Sequence, residues 1–474
     1  MTDNVDNPPI WDLEQYSVGE VRRRRAEARA ADPKEGTDDT ITQEDDGDWL
    51  APAKEKRRPR FVESGEVFWV AFTGGLLCIV TLGFYRFWLV TRLRKVFANS
   101  IRVDGDPIEY TGSGWEKMIG FLIAITMLAI YLGIANVLLL FAGIASFDAA
   151  SLFTPFSLIA LAPFLFWARY RGQRYIMGRL RWRGIRFGLT PGAWGYMLRS
   201  LLWSIPTIVT LGLLYPYQHF CQSRYITNRT HFGNIRCEQR GSWLGLMAYW
   251  IWLYIAAGML FLFGWGLAEE MRLGEQGIGV LIAVLWPIML LVVALLFMNY
   301  QIGAFRYLWD NRVIGKTEVN NDLSTGGVIW AYIKGSFLTS MLSFGVTLLF
   351  GGLIVGGGFA LTSALFGGWD AVQRAMDVDF VESIEAGNGP PVELLWKLAP
   401  LWISLMFAYF FAFVVYYAFT QSLITQPIIR LKVEGTTLIN PNLLMKAQQR
   451  KEDKAGEAGG FADALGVDVG AGFG

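Results

Sequence analysis

One combination of residues recurs behind one apolar segment after another, and it constrains this chain more than any other feature. The first copy lies within Thr81 to Trp115. A basic anchor stands at Lys95, Arg174, Arg224 and Arg306, and in the last three a tyrosine follows directly as Tyr175, Tyr225 and Tyr307. A glycine comes at the tenth position past the anchor in Gly105 and Gly184, and at the ninth in Gly233 and Gly315. A tryptophan opens the next apolar segment at Trp115, Trp194 and Trp243, each at the tenth position past its glycine, and at Trp330, the fifteenth. The lead-in Thr81-Leu82-Gly83 returns as Thr210-Leu211-Gly212. Four such registers mark an internal duplication.

The segments between these boxes set the solvent. Of 474 residues 53% are hydrophobic and 18% charged, with 33 Phe and 19 Trp, and several apolar runs exceed what crosses about 30 Å of hydrocarbon. An integral membrane protein is expected. The net charge of +1 says little, because basic and acidic residues occupy different stretches. Cys78, Cys221 and Cys237 form no CxxC pair and suggest no disulfide framework. About sixty polar residues at the start predict no cleaved leader.

Eight apolar segments are expected, at about 66–90, 118–146, 152–168, 196–218, 243–268, 277–299, 337–366 and 396–424. Arg92, Arg94, Lys95 and Arg102 follow the first, and Arg169, Arg171, Arg174, Arg179, Arg181, Arg183 and Arg186 follow the third. Short loops rich in Arg and Lys stay cytoplasmic, so both boxes are expected inside and the acidic loops 147–151, 269–276 and 367–395 outside. Segments one and four then carry basic sequence at both ends. They are expected to be re-entrant or interfacial, bent at Gly74-Gly75 and Gly83 in one and at Pro206 and Gly212 in the other; the competing expectation is an ordinary eight-span protein. The fold class expected is all-α: a polytopic helical bundle of six firm spans plus the two bent segments. The repeat-built domain covers 61–440, between tails at 1–60 (cytoplasmic) and 441–474 that are expected to be disordered. Ile429 to Gly435 reads as a worn fifth box. Gly352 and Gly356 share a helix face that admits a close neighbour, within one chain or from a second copy.

The chemistry readable in the sequence is sparse. His219, Cys221, His231 and Cys237 are of the right type for zinc, yet their H-x-C and H-x5-C spacing fits no compact site, and neither a metal nor another cofactor is expected. No GxSxG, HExxH or phosphate loop occurs, so no enzyme is expected. The central runs of segments two, three, five, six and seven hold no ionisable residue, which disfavours a proton-driven pump. The boxes themselves combine Arg, Tyr and Trp, and arginine grips phosphate with a planar fork while Trp and Tyr suit headgroup depth. Such boxes either anchor the spans or bind an anionic headgroup or another phosphate-bearing ligand. The residues expected to carry a site are Arg92, Lys95, Arg171, Arg174, Arg224 and Arg306, with Asn99, Asn228 and Asn311. Membrane lipids and further copies of the chain are the partners considered, and nucleic acid is not expected.

Phe61, Gly65 and Phe68, then Thr81-Leu82-Gly83-Phe84-Tyr85, Trp88, Lys95, Asn99 and Gly105, with the later Arg224-Tyr225, Asn228 and Phe232-Gly233, carry a further signal. This pattern resembles the uncharacterised bacterial inner-membrane family that includes YjgN, over roughly 61–440. Val96 and Gly178 depart from its aromatic and Asn positions, so the copies are not equivalent. The resemblance implies a multi-pass inner-membrane protein with a cytoplasmic N-terminus and no known activity. The expected function is a non-enzymatic membrane protein that binds anionic lipid or a similar ligand at the boxes. The alternative is a small-solute channel or transporter running past segments one and four.

Overall fold

Each box of the sequence joins a helix to a β-hairpin, and the four copies do so in one register. The computed structural model describes residues 55–144, 153–273, 277–374 and 392–450. A first strand begins at the sixth position past the anchor: β3 (Ile101–Val103), β5 (Leu180–Trp182), β7 (Thr230–Phe232) and β9 (Arg312–Ile314). A second begins at the eleventh: β4 (Asp106–Tyr110), β6 (Ile185–Leu189), β8 (Ile235–Gln239) and β10 (Thr317–Asn321). Only a pair of residues is left to turn the chain. In the first two copies both have positive φ, Asp104 with Gly105 and Arg183 with Gly184; in the last two only the first does, Gly233 and Gly315. These are the two turn geometries that match the strand twist, one needing glycine second and the other first. The shift of the glycine by one position is therefore a choice of turn, and the strands do not move.

Helices precede every hairpin in pairs. They are α1 (Glu66–Val80) with α2 (Arg86–Ser100), α3 (Gly114–Ile144) with α4 (Phe153–Arg179), α5 (Ala193–Val209) with α6 (Tyr215–Thr227), and α7 (Leu244–Leu273) with α8 (Gly277–Asp310). A fifth set comprises α9 (Thr325–Val346), a π-helical turn (Thr347–Gly351), α10 (Gly352–Phe366), α11 (Trp369–Arg374), α12 (Val392–Thr420), a second π-helical turn (Gln421–Thr425) and α13 (Gln426–Glu434). It ends in β11 (Thr436–Ile439), which begins at the sixth position past Arg430, so Arg430 is a fifth anchor. Among the described residues the unit thus occurs five times.

The strands make one antiparallel sheet of eleven, ordered β1-β11-β10-β9-β8-β7-β6-β5-β4-β3-β2. Its two outer strands are β1 (Lys56–Arg57) on β11 and β2 (Arg60–Phe61) on β3. Arg57 and Arg60 are so close in the chain that their Cα atoms are at most about 11 Å apart. The sheet therefore curls back until one short segment holds both edges, and β1 replaces the missing second strand of the fifth hairpin. An all-α fold is corrected by this sheet. Its strands are short and of mixed polarity, too brief a pattern to stand out between long apolar helices.

Pairing across the sheet also resolves the orientation of the helices. Arg60 pairs with Arg102 and Leu189 with Thr230, so the strands flanking α1–α2, and those flanking α5–α6, lie side by side. Each of these helix pairs leaves the sheet and returns to it. With 15 and 17 residues, α1 and α5 rise about 22 and 25 Å, short of the hydrocarbon thickness. Both reverse at the Thr-Leu-Gly turn in the same way. Thr81 and Thr210 hydroxyls bond back to Leu77 and Pro206 carbonyls at 2.7 Å and accept from the amides of Tyr85 and Leu214 at 3.0 and 3.1 Å. Leu82 at φ 51° and Leu211 at φ 51° crown the tips, 90% and 85% exposed. Both are short helical hairpins that carry an exposed leucine at the tip, the build expected of the re-entrant alternative. Gly83 and Gly212 make the bends, whereas Gly74 and Gly75 are buried against Leu89 and Val414.

Five helices are long and apolar enough to cross a membrane, with windows in α3, α7, α8, α9–α10 and α12–α13, none more than 22% buried. Their uncovered faces form an extensive apolar surface of the kind that suits lipid. The sixth expected span, 152–168, coincides from Phe153 with the start of α4, which continues through Arg169 to Arg179. Gly352 and Gly356 have open space beside them; the close approach comes at Gly358, against Ser404 and the Pro400 carbonyl of α12. Residues 55–60 and 441–450, beyond the repeat-built stretch at either end, pack on the sheet. A 3-10 turn (Pro441–Lys446) sets Leu444, Met445 and Ala447 against Trp182, Phe232, Val319 and Leu438. Gln448 then bonds Asn234 at 2.9 and 3.0 Å. Burying a leucine-sized side chain there gains about 1.5–3 kcal/mol. The early charge runs Arg22–Arg25 and Asp38–Asp48 and the loop 147–151 lie outside the described residues, as do parts of the outward loops 269–276 and 367–395.

Candidate functional site

Two of the recurring residue types are structural pins. The tyrosine after each anchor reaches the start of its own unit's first helix: Tyr175 Oη donates to Glu116 (3.0 Å), Tyr225 Oη to the Gly192 carbonyl (3.1 Å) and Tyr307 Oη to the Ser242 carbonyl (2.9 Å). The tryptophan opening the next helix packs on the aromatic residue at the seventh position before the previous anchor. Trp115 meets Trp88 at 5.1 Å between centroids, Trp194 meets Trp167 at 6.2 Å, and Trp243 meets Tyr217 at 6.0 Å. Tyrosine closes a unit and tryptophan joins it to the next.

The asparagine of the box is a third pin. Asn228, at the end of α6, accepts the Gln239 amide at 2.8 Å on its Oδ1. These two stand at the fourth and fifteenth positions past Arg224. At the same offsets from Arg306, Asp310 Oδ1 accepts the Asn321 amide. Asp310 is therefore the fourth copy's counterpart of Asn228, and Asn311 is one position off. Asn311 instead donates to the Tyr307 carbonyl (2.8 Å) and offers its own carbonyl to the Arg240 amide (2.7 Å).

These pins build a cleft of about 550 Å³ at the base of the third unit. Arg224 and Asn228 line it from α6, Arg236, Cys237, Glu238 and Gln239 from β8, and Arg240 and Gly241 from the loop beyond. Three guanidiniums face one carboxylate. Arg224, Arg236 and Arg240 are exposed, while Gln239 is buried beneath them. Gln239 Nε2 donates to the Leu308 and Asn311 carbonyls at 2.9 and 3.2 Å, and its Oε1 accepts from Arg312 Nε at 3.4 Å. Arg312 also stacks on Trp309 at 4.5 Å, and burial lowers its guanidinium to about 10. Burial likewise pushes the Cys237 thiol up to about 11, so it is a thiol at neutral pH.

The other sequence-predicted residues are not gathered here. Arg306 donates to Tyr249 Oη (2.8 Å), Arg171 stacks on Trp167 (5.2 Å) and Arg92 on Tyr85 (5.7 Å). Lys95 and Asn99 lie exposed on α2, and Arg174 is half-buried on α4. Arg236, Gln239 and Arg240 were missed by sequence reasoning. The signal available was the Arg-x-x-x-Arg spacing behind Gly233, which has no meaning until the segment is known to be a strand. The four residues of zinc-ligand type stand apart in function: His219 Nδ1 bonds Tyr300 Oη (2.9 Å), His231 stands over Gly188, Cys221 lies on α6 and Cys237 lines the cleft. Among the described residues no three His, Cys, Asp or Glu side chains come together as a metal site.

Five helical units on a shared, curled sheet, with apolar faces left bare, define a helical membrane protein of repeat construction. Residues 62–351, more than half of the chain, match the family described as bacterial protein of unknown function (DUF898), and the protein belongs to that family. The match ends inside the fifth unit. No curated protein and no solved structure matches the chain.

Proposed function

We propose that this protein binds an anionic, phosphate-bearing ligand, in first place a lipid headgroup, in the cleft beside α6 and β8, and performs no chemistry on it. The observation that carries this reading is the meeting of Arg224, Arg236 and Arg240 around one cavity of about 550 Å³. Arginine forks pair with phosphate oxygens two at a time, and the cleft lies at the base of the helices, where headgroups of the facing leaflet end. The basic boxes favour a sheet in the cytoplasm of a bacterial cell and a bundle in its inner membrane. Lipids are then the natural partners. Protein in nanodiscs of phosphatidylcholine with or without phosphatidylglycerol tests this by native mass spectrometry. Retained phosphatidylglycerol, weakened by salt and lost in the Arg224→Ala/Arg236→Ala double variant, is expected. Equal retention in the variant overturns the reading.

The two short hairpins favour a second reading, a small-solute pathway, because broken or re-entrant segments line sites in repeat-built transporters. Solute flux in proteoliposomes, with no headgroup preference, is its signature.

A further inference from the structure

Inside the bundle, away from the cleft, polar side chains from three helices converge without enough partners. Arg169 and Gln173 lie one turn apart on α4, Tyr196 and Ser200 one turn apart on α5, and Tyr215, His219 and Gln222 along one side of α6. Arg169 Nη1 donates to Gln222 Oε1 at 3.3 Å, which fixes α4 against α6. The Arg169 charge is also within electrostatic reach of Tyr196, Tyr215 and His219. Gln173 and Gln222 are 5% exposed, and Tyr196 and Ser200 are 0% exposed. The Tyr196 and Ser200 hydroxyls adjoin each other. Yet Arg169 Nε, Gln173 Oε1, Tyr196 Oη, Ser200 Oγ and Gln222 Nε2 are all buried with no well-formed hydrogen bond.

Groups of this kind are costly to bury unless a partner reaches them. Four of the five atoms can donate, and the helices that supply them contain no Asp or Glu at all. Among the described residues no carboxylate pairs with Arg169. A guanidinium in a largely apolar bundle, surrounded by spare donors and without a counter-charge, calls for an anion. The walls are aromatic. Tyr170, Tyr196 and Tyr225 stand 5.4–5.9 Å apart on one side, and Tyr215, Trp250 and Tyr300 stand 4.8–6.0 Å apart on the other. Arg169 lies some three helical turns before Leu180, the start of β5, which places it about 16 Å up the helix from the sheet.

We infer that the bundle holds an anion site between α4, α5 and α6, in which Arg169 and the donors of Tyr196, Ser200 and Gln222 take one carboxylate- or phosphate-type group. It is separate from the Arg224 cleft and shares no residue with it.

The test is calorimetric titration of the full chain, in zwitterionic detergent at constant ionic strength, with inorganic phosphate and with acetate, alongside mass spectrometry of co-purified phosphatidylglycerol. In an Arg224→Ala/Arg236→Ala parent, whose cleft is disabled, saturable binding of one probe is expected, weakened at least tenfold by adding Arg169→Gln and several-fold by adding Ser200→Ala. Binding of the free ions identifies a soluble ligand. Retention of phosphatidylglycerol alone, lost in Arg169→Gln, identifies a lipid as the source of the group. Arg169→Lys keeps the charge and is expected to retain part of the affinity, which separates loss of the site from loss of the fold. Equal binding by that parent and its folded Arg169→Gln derivative, or no binding of any probe by the parent, overturns the site and leaves buried water as the partner of these atoms.

Discussion

Arg57 Nη1 lies 2.5 Å from Asp104 Oδ2, an ion pair between the strand that finishes the sheet and the turn of its first hairpin. Glu55, at 2.6 Å from the same guanidinium, completes the clasp. Asp104 belongs to the first unit, while Arg57 is paired with β11 of the fifth. The contact therefore spans the seam.

Arg57→Glu reverses one member and is expected to open that seam locally. Hydrogen exchange of the Phe61, Leu438 and Ile439 amides should speed up at least tenfold, while the amides of β6, β7 and β8 stay as they are. Uniform change across the sheet, or none, counts against a seam held by this pair.

Asn228→Ala removes the acceptor of the Gln239 amide and is expected to cost about 1 kcal/mol, with loss of order at the floor of the cleft. Asn228→Asp is expected to be nearly neutral, because Asp310 does the same work in the fourth unit. Thermal unfolding of the two variants side by side gives the answer. An Asp variant as damaged as the Ala variant would show that the two positions are not equivalent.

Single cysteines report the topology. In a Cys78→Ala/Cys221→Ala/Cys237→Ala background, Asp104→Cys, Asn234→Cys and Lys316→Cys should all react with an impermeant maleimide from one side of sealed vesicles. Leu82→Cys and Leu211→Cys, at the hairpin tips, should react from neither side and only after detergent is added. Labelling of either tip from the side opposite the turns would turn that hairpin into a true crossing.

Cys237 gives a pH profile. Burial holds its thiol up to about 11, above the ordinary 9.0, so alkylation in a Cys78→Ala/Cys221→Ala protein should keep rising about tenfold per pH unit beyond pH 9. The sign for stability follows: the buried neutral thiol contributes fully below pH 9, and that contribution is lost as pH rises from 9 to 11. A rate that levels off near pH 9 would mean that the cleft is wetter than its packing indicates.

Repetition and solvent were legible in the residues alone. The Arg-Tyr, glycine and tryptophan registers are local and repeat along the chain, and long apolar runs with bounded charge can only be read one way in water. For segments 66–90 and 196–218 the basic flanks at both ends pointed to hairpins and left an ordinary crossing open; the return of each helix pair to neighbouring strands came only from the fold. The meaning of the registers was another matter. A one-position change in glycine spacing looks like drift until the turn type is seen at Gly233 and Gly315, and Asn311 looks like the box asparagine until Asp310 is found holding Asn321. The sheet itself stayed hidden because no strand is stable alone: β1 ends at Arg57 and β11 begins at Thr436, and only closure of the whole set gives them partners. The Arg224 cleft and the polar cluster around Arg169 are likewise products of helices and strands distant in sequence. Local spacing records what a residue does for its own turn of helix or strand, whereas a site is a convergence of several elements, and convergence is fixed only when the chain has packed.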